Sequence, residues 1–248
     1  MLKRPQFALT FSCKDQIGIV AKVTTFLAEH QGFVLESSQY SDLETDRFFM
    51  RCLFEYHGSW LPLSQEAFAH LFSPLAQSLH LTWEYHSFEK KSRLLLLVSG
   101  YDHCLSDLLH RMRSNTLPIE IPAIVSNHPD LQEIADWYKI PFYYLPVTRE
   151  TKLQQEAQIL SLIQQCKIDL TVLARYMQIL SPSLTAQLYG KAINIHHSFL
   201  PSFKGARPYH QAHERGVKLI GATAHYVSDE LDEGPIIEQE VIRVDHTY

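Results

Sequence analysis

Large apolar side chains alternate with smaller or polar ones along Phe7-Ala8-Leu9-Thr10-Phe11, the period of a strand, whereas apolar residues over 19–30 recur at helical spacing. Strand-like runs return at 33–40 and 47–56, an amphipathic helix fits 65–79, and 81–86 reads as a closing strand. The order β-α-β-β-α-β predicts a ferredoxin-type sandwich over residues 1–87, with two helices on one face of an antiparallel sheet.

The stretch Phe88-Glu89-Lys90-Lys91-Ser92-Arg93 is charged and is expected as an exposed linker. After it the pattern changes. Leu94-Leu95-Leu96-Leu97-Val98 is a continuous apolar run, as expected for a parallel strand covered on both faces. Further strands are predicted at 119–126, 142–145, 170–174, 192–196 and 221–227, with helical periods after 102, near 129–138, over 150–166 and over 184–188. This alternation predicts a second α/β domain over 94–248, Rossmann-like and mostly parallel, whose ligands lie beyond the carboxyl ends of the strands.

Composition narrows the partners. Apolar residues make up 46% of 248 and charged residues 20%, so both domains have material for a core. The formal net charge of −5 gives no long-range attraction to a nucleic acid. No apolar run approaches the roughly 20 residues of a membrane span, and the first residues lack a secretory pattern, so the expectation is a cytoplasmic protein with neither a membrane nor a nucleic acid partner. Cys13, Cys52, Cys104 and Cys166 are widely spaced and read as free thiols.

Asn194-Ile195-His196 sets an amide and an imidazole two residues apart, on one face of a strand. The later loop Ser228-Asp229-Glu230-Leu231-Asp232-Glu233-Gly234-Pro235 can carry the Asp232 carboxylate back toward them. Amide, imidazole and carboxylate suit attack of water on a formyl carbon. Asn194 and His196 can donate to the oxygen where charge develops, and Asp232 can support a charged His196 and help take a proton from the water. Each also has a plainer reading, Asn194 as a partner for backbone groups and Asp232 as a turn cap. Ser198 lies nearby without a GxSxG elbow, so acyl-serine chemistry is not expected. Adjacent strand residues point to opposite faces, so His196-His197 with His225 does not suggest zinc, and no metal is expected. GxGxxG and Walker motifs are absent, so no dinucleotide or ATP cofactor is expected.

Residues 190–248 resemble the formyltetrahydrofolate deformylases, relatives of the glycinamide ribonucleotide formyltransferases. The resemblance is carried by Asn194-Ile195-His196-His197-Ser198-Phe199-Leu200-Pro201, Gly205-Ala206-Arg207-Pro208-Tyr209-His210-Gln211-Ala212, Gly221-Ala222-Thr223-Ala224-His225-Tyr226-Val227 and Leu231-Asp232-Glu233-Gly234-Pro235-Ile236-Ile237. It implies a formyltransferase-like catalytic domain with Asn194, His196 and Asp232 at the catalytic positions. The implied reaction is hydrolysis of 10-formyltetrahydrofolate to formate and tetrahydrofolate, supplying formate for one-carbon and purine metabolism. It also implies folate contacts from Met177, Gln178, Ile179 and Leu180, and from Ser198 and Asp229. Gln178 departs from the arginine common in the family, which removes a cation able to pair with a glutamyl carboxylate. The family continues beyond the position of Tyr248, so a closing C-terminal helix is expected to be missing.

Two rivals remain open: a formyltransferase with an amine acceptor, and a non-catalytic folate- or amino-acid-binding protein. The turn Ser99-Gly100-Tyr101-Asp102 disfavours the first, since one glycine followed by an aspartate makes a poor phosphate cradle. The first domain resembles an ACT module through Asp15-Gln16-Ile17-Gly18-Ile19-Val20. That resemblance implies an amino-acid effector, such as glycine or methionine, at Asp15, Gly18 and Ile19, and a homo-oligomer, with a tetramer favoured. A tight turn capping the helix is the alternative for Gly18.

Overall fold

The computed structural model describes residues 4–57, 64–203, 205 and 207–245. The chain forms two compact units, one ending at Lys90 and the other starting at Lys91.

The first unit runs β1 (Gln6–Lys14), α1 (Ile19–Glu29), β2 (Gly32–Asp42), β3 (Arg47–Tyr56), α2 (Gln65–Ser78) and β4 (Thr82–Ser87). Its sheet has the order β2-β3-β1-β4 with every pair antiparallel, the topology expected from the sequence. The period of two in β1 sends Phe7, Leu9, Phe11 and Cys13 to the face covered by Val23 and Leu27 of α1 and by Phe68 and Phe72 of α2. Phe68 stacks on Tyr85 with ring centres 4.1 Å apart, and Phe72 meets Trp83 edge-on at 5.1 Å. Burying each such side chain contributes about 1.5–3 kcal/mol.

At the start of α1, Gly18 has φ +92°, a backbone that a side chain would strain, and an added Cβ would meet nothing within 4 Å. The Asp15 carboxylate is already engaged by the Ser41 hydroxyl at 2.6 Å. Ile19, expected as an effector contact, is a core side chain at 2% exposure because the first turn of α1 faces the sheet. Of the three candidate effector residues, Ile19 is enclosed in the core, while Asp15 and Gly18 are half-buried.

The second unit runs β5 (Ser92–Val98), α3 (His103–Arg113), β6 (Ile119–Ser126), α4 (Gln132–Trp137), β7 (Phe142–Tyr144), α5 (Lys152–Gln165), β8 (Leu170–Leu173), α6 (Pro182–Gln187), β9 (Ala192–His196), α7 (Pro208–Glu214), β10 (Leu219–Tyr226) and β11 (Ile236–Arg243). Ser92 and Arg93, expected in the linker, belong to β5. The Arg93 amide donates to the Asp169 carboxylate, and its guanidinium donates to the Cys166 carbonyl and Glu120. A charged pattern that reads as solvated is here satisfied by neighbouring chain. Phe88 likewise donates its amide to Gln6, which leaves a shorter connector than expected.

The sheet order is β11-β10-β9-β8-β5-β6-β7. The strands from β9 to β7 are parallel, and β10 runs antiparallel to both of its neighbours. The apolar run of β5 feeds two cores. Leu94, Leu96 and Val98 pack with Leu105 and Leu109 of α3, while Leu95 and Leu97 pack with Ile159 and Leu162 of α5. The chain steps from β5 outward to β7 and returns to β8 on the other side, so a crevice opens at the carboxyl ends of β5 and β8. The sequence pattern did not reveal α7 or β11. One is a single short helix, and the other is an edge strand whose apolar side chains are mostly exposed. Among the described residues, no helix is long and apolar enough to cross a membrane.

Candidate active site

Beyond the ends of β8 and β9 lies a cavity of about 260 Å³, lined by loop residues 175–180 and 227–232 and by Asn194, His196, His197, Gly205 and His225. It brings Asn194, His196 and Asp232 together. The period of β9 points the first two to one side, and the loop after β10 supplies the third. That loop is pinned by Val227 N–H to the Ala192 carbonyl and by Tyr226 N–H to the Pro235 carbonyl, both 2.9 Å. Asp232 has φ +58°, a backbone that aspartate tolerates better than most side chains. Gly234 is required by contact. A Cβ there would lie 1.7 Å from the Tyr226 carbonyl oxygen.

His196 is 4% exposed and Asp232 is 7% exposed. The Asp232 carboxylate lies 3.3 Å from His196 Nδ1 and accepts the Gly205 amide at 3.2 Å. His196 Nε2 faces the Phe203 carbonyl at 3.2 Å. Both ring nitrogens therefore face atoms that only accept.

Asn194 is paired across the sheet with His225. His225 Nδ1 donates to the Tyr226 carbonyl at 2.9 Å, which leaves Nε2 to accept the Asn194 amide at 3.2 Å. The side-chain amide is thus oriented before any ligand arrives. Asp232 also lies 3.8 Å from His225 Nε2.

The predicted folate contacts divide. Met177, Gln178, Ile179 and Leu180 all line the cavity. Met177 and Ile179 are exposed, while Leu180 also packs against the core below. Their loop is held by Ser99, whose hydroxyl donates to Asn127 at 2.6 Å and accepts the Met177 amide at 3.0 Å. Asp229 lines the cavity, but one oxygen of its carboxylate accepts the Thr185 hydroxyl. Ser198 does not line the cavity. Two residues past His196 the chain has left β9, and the buried Ser198 hydroxyl turns to the Ser202 carbonyl at 2.9 Å.

The same strand end corrects a second expectation. His196 is the last residue of β9, so alternation no longer governs His197, and both imidazoles reach one cavity. Burial, with Arg175 and His196 adding to it, pushes the His197 imidazole down to about 4. Its ring meets Tyr209 of α7 edge-on at 5.7 Å. Among the described residues, no group of three or more His, Cys, Asp or Glu side chains is arranged to hold a metal ion.

Residues 92–248 match the formyl transferase family. A formyltetrahydrofolate deformylase from a Corynebacterium species is 50% identical over 248 residues, covering 100% of this chain and 86% of the relative. One from a Synechocystis species is 50% identical over 238 residues, covering 96% of this chain and 83% of the relative. The crystal structure of a formyltetrahydrofolate deformylase from Pseudomonas syringae pv. tomato superposes with a TM-score of 0.93 at 46% identity, covering 100% of this chain and 83% of that one. This chain belongs to the formyltetrahydrofolate deformylase family. Unlike a match confined to the second unit, these deformylase relatives span both units, so the likeness includes the β-α-β-β-α-β unit as well as the formyl transferase region.

Sequence reasoning missed His225 and Arg175 as parts of this deformylase-family site. His225 sits 31 residues from the amide it orients, so its role appears only once β9 and β10 are paired. A cation directly after β8, at the carboxyl end of a central parallel strand, was the signal for Arg175.

Proposed function

We propose that this chain hydrolyses 10-formyltetrahydrofolate to formate and tetrahydrofolate at the Asn194, His196 and Asp232 cavity. The observation that carries the reading is the convergence of an oriented amide donor, a buried imidazole and a carboxylate on one enclosed space. The pterin lies against the Met177–Leu180 side, using apolar contact and backbone groups. Water adds to the formyl carbon, and the carbonyl oxygen becomes an oxyanion that accepts from Asn194 Nδ2 and from the His196 ring. For His196 to serve, its Nε2 exchanges the 3.2 Å contact with the Phe203 carbonyl for the substrate oxygen. Asp232 holds the ring from the other nitrogen and helps take a proton from the water. Collapse breaks the C–N bond, the folate nitrogen takes a proton, and formate leaves.

No cofactor or metal takes part in this scheme. We assign the protein to the cytoplasm and propose a homo-oligomer, with a tetramer favoured, joined through the first unit as an ACT-like module with an amino-acid effector at Gly18. Sedimentation that gives a monomer at working concentration rejects the assembly.

The test of the reaction is to incubate purified protein with 10-formyltetrahydrofolate and water, and to measure formate and tetrahydrofolate together. Catalytic release of both is expected. A product that appears only when glycinamide ribonucleotide is added, with formyl on its amine, overturns hydrolysis in favour of transfer.

A further inference from the structure

Arg175 carries several irregularities at once, and the scheme above uses none of them. Its backbone lies in the left-handed region at φ +63°, which a side chain other than glycine occupies only under strain. Its Nε is sealed from solvent, yet it meets no acceptor among the described residues. Arg175 has no carboxylate partner among the described residues. Instead its guanidinium lies over the ring of Tyr101, 4.9 Å from the centre. Arg175 and His197 line the cavity beside Asn194 and His196. The nearby carboxylate of Asp232 is committed to His196 and the Gly205 amide, and the neutral His197 cannot compensate a cation.

An uncompensated cation held at the wall of a reaction cavity calls for an anion. Hydrolysis supplies one that transfer to an amine does not. Water addition gives the formyl carbon a second oxygen, and C–N cleavage releases a carboxylate with one full negative charge. One of its oxygens leaves the Asn194 and His196 donors, and the other is the oxygen that came from water. We propose that Arg175, stacked on Tyr101, is the carboxylate clamp of this site. It binds the formate product through the water-derived oxygen and draws the departing charge away from His196. The proposal rests on the hydrolytic reading.

Its test needs no turnover. Binding of sodium formate to the full chain is measured by the shift of the His197 C2–H resonance, with sodium chloride at matched ionic strength as control. Wild type is expected to show saturable binding. Two substitutions separate the clamp from the fold. Arg175→Gln keeps length and removes charge, while Arg175→Gly relieves the left-handed backbone and so should fold at least as well. Both should weaken formate binding at least tenfold, leaving the binding of tetrahydrofolate within twofold. Equal formate binding in wild type and Arg175→Gly overturns the clamp, as does the lack of any saturable shift in wild type. Formate release from 10-formyltetrahydrofolate is measured separately. Turnover without formate binding removes the clamp alone, whereas formate binding without turnover removes the hydrolytic reading.

Discussion

Replacing Gly234 with alanine should damage the reaction more than its distance from the substrate suggests. The new Cβ would start 1.7 Å from the Tyr226 carbonyl oxygen and 2.8 Å from the carbonyl carbon, both backbone atoms that cannot rotate away. A carbon and a carbonyl oxygen settle at about 3.3–3.6 Å, so the loop must part from β10 by more than about 1 Å. The separation strains the 2.9 Å hydrogen bond from Tyr226 N–H to Pro235, whose loss costs about 0.5–1.5 kcal/mol, and overpacking adds about 1–3 kcal/mol. Destabilisation of about 2–4 kcal/mol is therefore expected. Asp232 sits two residues before the glycine, so it moves with the loop. A displacement of about 1 Å at a reacting group costs on the order of 100-fold in rate. Urea denaturation gives the first quantity. Single-turnover formate release at saturating folate, under conditions where the variant is fully folded, gives the second. A variant with wild-type stability and wild-type release would show that the loop does not position Asp232.

Asn194→Ala and His196→Ala should each slow the single-turnover step by about 10²–10³ while changing folate binding little, since oxyanion donors act chiefly in the transition state; near-normal chemistry in both would remove them from the mechanism. Asp232→Asn keeps the size of the side chain but removes the charge 3.3 Å from His196, so the pH-rate profile should change shape, and an unchanged profile with full formate release counts against its role. His197, held down at about 4 against an ordinary 6.5, binds its proton in the unfolded chain before the folded one. Stability is therefore lost as pH falls between those values, and His197→Asn should lose on the order of 1 kcal/mol less than wild type from pH 7 to pH 5, measured by urea midpoints. Treatment with a chelator followed by desalting should leave formate release unchanged, and loss restored by one added divalent ion would contradict the metal-free scheme.

Where a period was long and local, the sequence was readable. The alternation in β1 and the unbroken run of β5 placed a half-buried strand and a fully covered one correctly. Two residues of β9 gave the shared face of Asn194 and His196, and glycine and proline marked the loop that returns Asp232. Misreadings cluster where a period ends. His197 and Ser198 lie one and two residues beyond the last strand position, where the backbone turns and the face of each side chain is set by tertiary bonds. Arg93 was misplaced because its guanidinium is satisfied by partners 27 and 73 residues away. The tie between Asn194 and His225 and the left-handed Arg175 depend on strand pairing and backbone angles that a single sequence does not print.

In the antiparallel pairing of β9 with β10, His225 meets Asn194 because Thr223 meets His196. A slip of one residue would turn His225 to the opposite side of the sheet and strand the amide without its acceptor. What guards against the slip lies outside the cavity. Gln239, on the exposed edge strand β11, donates from Nε2 to the Thr223 hydroxyl at 3.1 Å and to the Leu200 carbonyl at 2.9 Å. Thr223 in turn donates to the Ser198 carbonyl at 2.8 Å and accepts the Leu200 amide at 3.1 Å. These bonds index three successive segments of chain against one another, like a key that admits a single alignment. The fidelity of the site is thus decided at the rim of the sheet, by residues that never meet the substrate, and an insertion within β10 would erase it while leaving every reacting side chain in the sequence.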